Sequence, residues 1–226
     1  MNKWSAKREA AASGLGFAIL LLVGGFLPGS PKKWNASAAD IQSYLQGKHK
    51  ELLVGGILFG VGYVLFLWFL ASFAGMFRDA GQGRLATIMY GAGVATIAIA
   101  AVGDGISVGL AKVSFSADSH TLQTLYGISS FFYGRLLWTA AALALATMLA
   151  VRRSKALPDW YAWLSLVAGV LFVLGGCALK NNGFFTLTGG MGLIAFIALI
   201  VWVALSSVLL MTKTADAAPA AAPSMP

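Results

Sequence analysis

The sequence predicts an all-α polytopic membrane protein: a bundle of six transmembrane helices with a short amphipathic helix in the first outer loop. Three observations predict it. Hydrophobic residues make up 58% of the 226 residues, above the roughly 45–50% of a soluble domain. Charged residues make up 11%, against roughly 25%, and the mean hydropathy is +0.79. The apolar residues also gather into six runs, each near the roughly 17–25 residues that cross a bilayer as a helix. Together these exclude a soluble globular enzyme, a disordered chain and a nucleic-acid-binding domain. The net charge of +8 does not restore the last, because the basic residues sit in short connections between apolar runs rather than in one patch.

The runs cover residues 12–28, 52–77, 85–109, 130–151, 160–179 and 188–211. Helix is the only assignment for runs this long, since every backbone group must be satisfied internally in lipid. The first is short and stops at Pro28-Gly29. Lys3, Lys7 and Arg8 before it also fit a secretory signal peptide, with Ala36-Ser37-Ala38 as a small-residue cleavage site. Lys32, Lys33 and Trp34 between the run and that site favour a retained helix. In the first outer loop, Ser37 followed three residues on by Asp40 reads as a helix start. Ile41, Tyr44 and Leu45 then fall on one apolar face, so residues 38–48 form an amphipathic helix at the outer interface. Residues 120–126, after Asp118-Ser119, extend the fourth span outward, with one of those two residues as N-cap. Residues 1–212 thus make one transmembrane domain, and the Ala/Pro-rich segment 213–226 reads as a flexible cytoplasmic tail.

Orientation follows from the basic residues. One side holds Lys3, Lys7, Arg8, Arg78, Arg84, Arg152, Arg153, Lys155 and Lys213. The other holds Lys32, Lys33, Lys48, Lys50, Lys112 and Lys180. The bias places both termini of a multi-pass membrane protein in the cytoplasm.

Two charges fall inside spans, Asp104 and Arg135. Intramembrane charges usually face the bundle and pair with one another or line a wet cavity. Asp104 lies about 28 Å and Arg135 about 24 Å from the same side at 1.5 Å per residue. Their similar depth on consecutive helices predicts an ion pair, either a structural clamp or half of a polar site opening outward. Ala92, Thr96, Ala100 and Asp104 share one small-residue stripe, and Arg135, Thr139, Ala142 and Ala146 share another. Gly56/Gly60 and Gly105/Gly109 mark further close approaches. Lys180, Asn181, Asn182, His120, His49 and Asp40 lie at the same outer level, as solvated loop residues or the rim of an outer vestibule. Cys177, in an apolar run, reads as a small buried residue.

No span contains histidine, so no bis-histidine haem is expected between helices. No zinc-ligand spacing, nucleophile elbow, phosphate-binding loop or metalloprotease motif occurs. We therefore expect no cofactor, no metal and no enzymatic activity. Two function classes stay open. One is a non-enzymatic bundle that assembles with itself or with another membrane protein in the lipid bilayer. The other is a transport protein for a small solute, lipid or proton, with an outward polar cavity at Asp104 and Arg135.

Three segments carry a resemblance: Ala38-Ala39-Asp40-Ile41-Gln42-Ser43-Tyr44, Leu-Trp-Phe-Leu-Ala-Ser-Phe-Ala-Gly-Met-Phe-Arg at 67–78, and Leu157-Pro158-Asp159-Trp160. Over residues 14–210 the chain resembles a group of six-helix bacterial membrane proteins built on a domain of unknown function. The resemblance implies an inner-membrane helical bundle and carries no activity.

Overall fold

A computed structural model describes residues 3–215 of the chain. It is all-helical: α1 (Lys3–Phe26), α2 (Ala38–Gly47), α3 (His49–Asp79), α4 (Gly83–Val113), α5 (Ser119–Ser154), α6 (Asp159–Gly176) and α7 (Gly190–Ala215). Every helix but α2 is long and apolar enough to cross a membrane, so the protein is a multi-pass membrane helix bundle. The six spans form a closed ring in chain order. α1 packs on α3, α3 on α4, α4 on α5, α5 on α6, α6 on α7, and α7 returns to α1. One end of the ring carries α2 and is called here the cap end. The other carries the Arg78/Arg84 and Arg152/Arg153/Lys155 connections and is called the basic end.

Local chemistry sets the boundaries. α1 stops just before Pro28-Gly29, where Gly29 has φ 76°. The α3–α4 turn closes through Gly81 at φ 77°. α5 ends in a left-handed cap at Lys155, φ 54°, and α6 begins after Pro158. α6 stops at Gly176, three residues short of the expected span end, and a short loop bridged between Leu179 and Thr186 leads to α7. α7 is helical through Ala215, past the expected start of the tail. The remainder of that tail lies outside the described residues.

In lipid the solvent is as apolar as the side chains, so the ring is held by close packing and internal polar contacts. On α3, Phe66, Phe69, Phe73 and Phe77 are each at most 1% exposed. Phe69 and Phe73 stack with centroids 5.2 Å apart, and Phe73 meets Trp202 of α7 edge-on at 5.9 Å. Phe17 of α1 packs 4.7 Å from Phe66. Toward the basic end, α6 and α7 are tied by the Tyr161 hydroxyl against Ser206 Oγ and by Trp202 Nε1 donating to Ser165 Oγ at 3.0 Å.

Glycine marks the tightest crossings. A Cβ on Gly55 would stand 3.2 Å from the Gly24 carbonyl oxygen, so α1 and α3 touch backbone to backbone. Gly56 is filled against by Val108 of α4. Its expected companions Gly60, Gly105 and Gly109 face outward into open space and do not mark contacts within the ring.

The cap is a second small core. Ser37 caps α2 by accepting from the Asp40 amide at 3.1 Å, and its hydroxyl donates to the Asp40 carboxylate at 2.6 Å. Ile41 and Leu45 are then buried against Leu110 of α4 and Leu122 and Tyr126 of α5. Tyr44 lies edge-on to Tyr126. Burial, and then the Glu51 charge, raise the Tyr44 phenol above its ordinary value. α5 supplies the wall of this core because it starts early, at Ser119, capped by the Asp118 carboxylate accepting from the Thr121 amide at 3.0 Å. At 36 residues, α5 is about 54 Å long and projects well past a hydrocarbon layer of about 30 Å. Thus α2 is docked on protein rather than lying free at the interface.

Candidate functional site

Asp104 sits in α4, with the wall of the cap core on the same helix beginning at Ile106 and Leu110. It is 7% exposed. The small stripe Ala92, Thr96 and Ala100 below it turns the same face inward, with Thr96 and Ala100 buried. Gly103 lets α5 come close: a Cβ there would meet Phe132 Cβ at 3.1 Å.

Two phenols converge on the carboxylate. Tyr133 of α5 donates to Oδ1 at 2.6 Å, and Tyr63 of α3 donates to Oδ2. Helical side chains lean toward their own N-terminus. α3 and α5 both start at the cap end, so Tyr63 and Tyr133 lean capward; α4 starts at the basic end, so Asp104 leans down to meet them. Ser107, one turn on from Asp104, bonds back to the Gly103 carbonyl at 3.0 Å and lies 3.3 Å from the Tyr133 hydroxyl. One side chain thereby fastens three helices, with both carboxylate oxygens occupied. No buried side-chain polar atom among the described residues lacks a partner.

The expected Asp104–Arg135 ion pair is absent among the described residues. Arg135 is exposed on α5, and the two ion pairs there, Lys48–Glu51 and Lys155–Asp159, lie elsewhere. The reason is angular. Tyr133 is the α5 residue that faces Asp104, and a position two residues on lies about 200° around the helix. The stripe expected for α5 holds only in part: Arg135 and Ala142 are exposed, whereas Ala146 is buried and the Thr139 hydroxyl accepts from Thr96 of α4 at 2.8 Å. The rest of the buried face runs through Tyr126, Ser130, Leu137 and Ala144.

The proposed vestibule residues do not converge. Asp40 is exposed and serves the start of its own helix. His49 holds the end of α4: its Nδ1 is 2.8 Å from the Ala111 carbonyl, which can only accept, and Phe115 lies against its ring. His120 is exposed, as are Lys180 and Asn181. Asn182 accepts from Lys33 Nζ at 2.7 Å, a tie between two loops. Cys177, expected buried, is exposed, because α6 ends at Gly176 and the chain turns out of the bundle there.

Sequence reasoning passed over Tyr63, Tyr133 and Ser107. The available signal was Asp104 and Ser107 at i and i+3, together with tyrosines lying inside apolar runs, where a hydroxyl needs a partner. Among the described residues no cluster of His, Cys, Asp and Glu has the makings of a metal site. The chain matches no protein-family model, no curated protein and no solved structure at a meaningful level of similarity.

Proposed function

We propose that the protein is a non-enzymatic membrane scaffold that assembles, with copies of itself or with another membrane protein, through the outward face of α4. The observation that carries this reading is the composition of that face. Gly91, Ala98 and Gly105 recur every seven residues, Ala101 and Gly109 adjoin them, and all five are exposed. Gly91, Gly105 and Gly109 have nothing within 4 Å of where a Cβ would stand. Small residues on a lipid-facing helix allow a second backbone to approach closely, the main source of helix association in a bilayer. The Asp104 clamp, about 100° around the same helix from Gly105, holds α4 between α3 and α5. The resemblance to six-helix bacterial membrane proteins supports placement in the bacterial cytoplasmic membrane, and the basic bias of the Arg-rich end supports both termini inside and the α2 cap outside.

Gly105→Leu/Gly109→Leu tests the reading. Subunit counting in lipid bilayers is expected to find oligomers for the wild-type chain and a shift toward monomers for the variant, with unfolding unchanged. A monomeric wild-type chain would leave self-assembly without support and turn the search to a heterologous partner.

A second reading, proton-coupled or small-solute transport, is favoured by the placement of Asp104, Tyr133 and Ser107, whose hydroxyl contacts lead one turn toward the cap. Flux through reconstituted protein that is lost on Asp104→Asn would support it over the first.

A further inference from the structure

The seam between α3 and α4 opens at the basic end into a cavity of about 250 Å³ lined by Ala71, Ala74, Arg78 and Tyr90. The volume is several times that of a water molecule, so it exceeds the needs of a single small ion. Its lining is graded. Arg78 is the next-to-last residue of α3, at the water-facing end. Ala71 lies seven residues back, about 10 Å deeper into the hydrocarbon. The charged end and the apolar end therefore face the two regions of a lipid monolayer that they suit.

Arg78 is exposed and has no carboxylate partner among the described residues. Tyr90 is 42% exposed. Side-chain direction brings the two together. α3 starts at the cap end, so Arg78 leans back along the seam over Ala74; α4 starts at the basic end, so Tyr90 leans toward Arg78. A guanidinium presents a fork of donors that matches a phosphate diester in two parallel bonds. A phenol adds a third donor. Ala71 is exposed and small, which leaves room for an acyl chain against α3, while Ala74 is buried beneath it.

We propose that this seam is a binding site for an anionic phospholipid, with the phosphate diester on Arg78 and Tyr90 and one acyl chain along Ala71. A free phosphate ion would use the polar end and leave the apolar end empty. A zwitterionic lipid would bring its own cation up to the guanidinium. Arg84, on the same connection but outside the cavity lining, serves as the matched control for general surface charge.

The test uses the full chain, delipidated in mild detergent and titrated by native mass spectrometry with dioleoyl phosphatidylglycerol, dioleoyl phosphatidylcholine or inorganic phosphate. The expected result is one phosphatidylglycerol bound more tightly than phosphatidylcholine, with no displacement by millimolar phosphate. Arg78→Gln should weaken it about tenfold or more and Tyr90→Phe by about threefold, the range for charged and neutral hydrogen bonds. Ala71→Leu, at an exposed position that leaves the charges intact, should weaken it by filling the chain end. Equal losses in Arg78→Gln and Arg84→Gln would overturn the site in favour of diffuse attraction. Displacement by phosphate, or an unaffected Ala71→Leu, would overturn the lipid assignment.

Discussion

A carboxylate inside a membrane costs least when hydrogen bonds replace the water it has lost, and Asp104 shows one economical solution. Two neutral phenols satisfy it without a second charge in the hydrocarbon. The contrast with Arg135 is instructive. The sequence indicated Asp104 and Arg135 at a similar level on consecutive helices, and Tyr133, two residues before Arg135, does bond Asp104. The pairing depended on helix rotation, which a 3.6-residue period determines only once the buried face of α5 is known. That face contains serines, glycine and tyrosine, residues of weak hydropathy signal, so it was not legible. Asp118 is the second carboxylate with a defined task, capping α5. Its bond from the Thr121 amide, followed by smaller contributions from the Thr121 hydroxyl and His120, holds its carboxyl below the usual range. A folded-state value below the unfolded one stabilises the cap above the unfolded value and loses that effect as pH falls through the folded one. A ¹³C titration of the Asp118 carboxyl should therefore find a midpoint below that of free aspartate, about 3.9. Asp118→Asn should remove the acid-induced loosening of the first turn of α5 seen by amide exchange. A normal midpoint would contradict the cap assignment.

Elements were easier to read than contacts. All six spans fall where apolar runs place them, because backbone satisfaction in lipid leaves helix as the only option over such lengths. The amphipathic helix was legible down to its N-cap, since Ser37, Asp40, Ile41 and Leu45 each perform the task their spacing implied. The outward extension of α5 was legible from Asp118 onward for the same reason. What α2 packs against was not. An amphipathic face next to a membrane reads as an interfacial face, whereas Ile41 and Leu45 are buried by Leu110, Leu122 and Tyr126 of helices that overreach the bilayer. The glycine pairs were only partly informative: spacing of four identifies a small face but not its direction. Gly56 faces α4, while Gly60, Gly105 and Gly109 face outward.

At the scale of the whole molecule, chain-order neighbours and the α1–α7 closure make a ring in which α1 is structural. Phe17 on Phe66, and Gly14 against Phe69 and Ser207, fix it to both α3 and α7. Six passes bring the end of α7 back to the side where α1 starts, so one accessible position reports the orientation of the whole. Cys177 is the sole cysteine and is exposed at the cap end of α6. A membrane-impermeant maleimide should therefore label intact cells at Cys177, and Cys177→Ser should abolish the labelling. Labelling only after permeabilisation would invert the proposed topology.

The central claim is that Asp104 is held between α3 and α5 by phenols and does not communicate with Arg135. Double-mutant cycles on reversible unfolding in bicelles test it most directly, using Asp104→Ala with Tyr133→Phe in one cycle and with Arg135→Ala in the other. The clamp predicts a coupling of about 1 kcal/mol for Asp104 and Tyr133, within the range for interhelical hydrogen bonds in membranes, and additivity within about 0.5 kcal/mol for Asp104 and Arg135. Coupling to Arg135 with none to Tyr133 would contradict it.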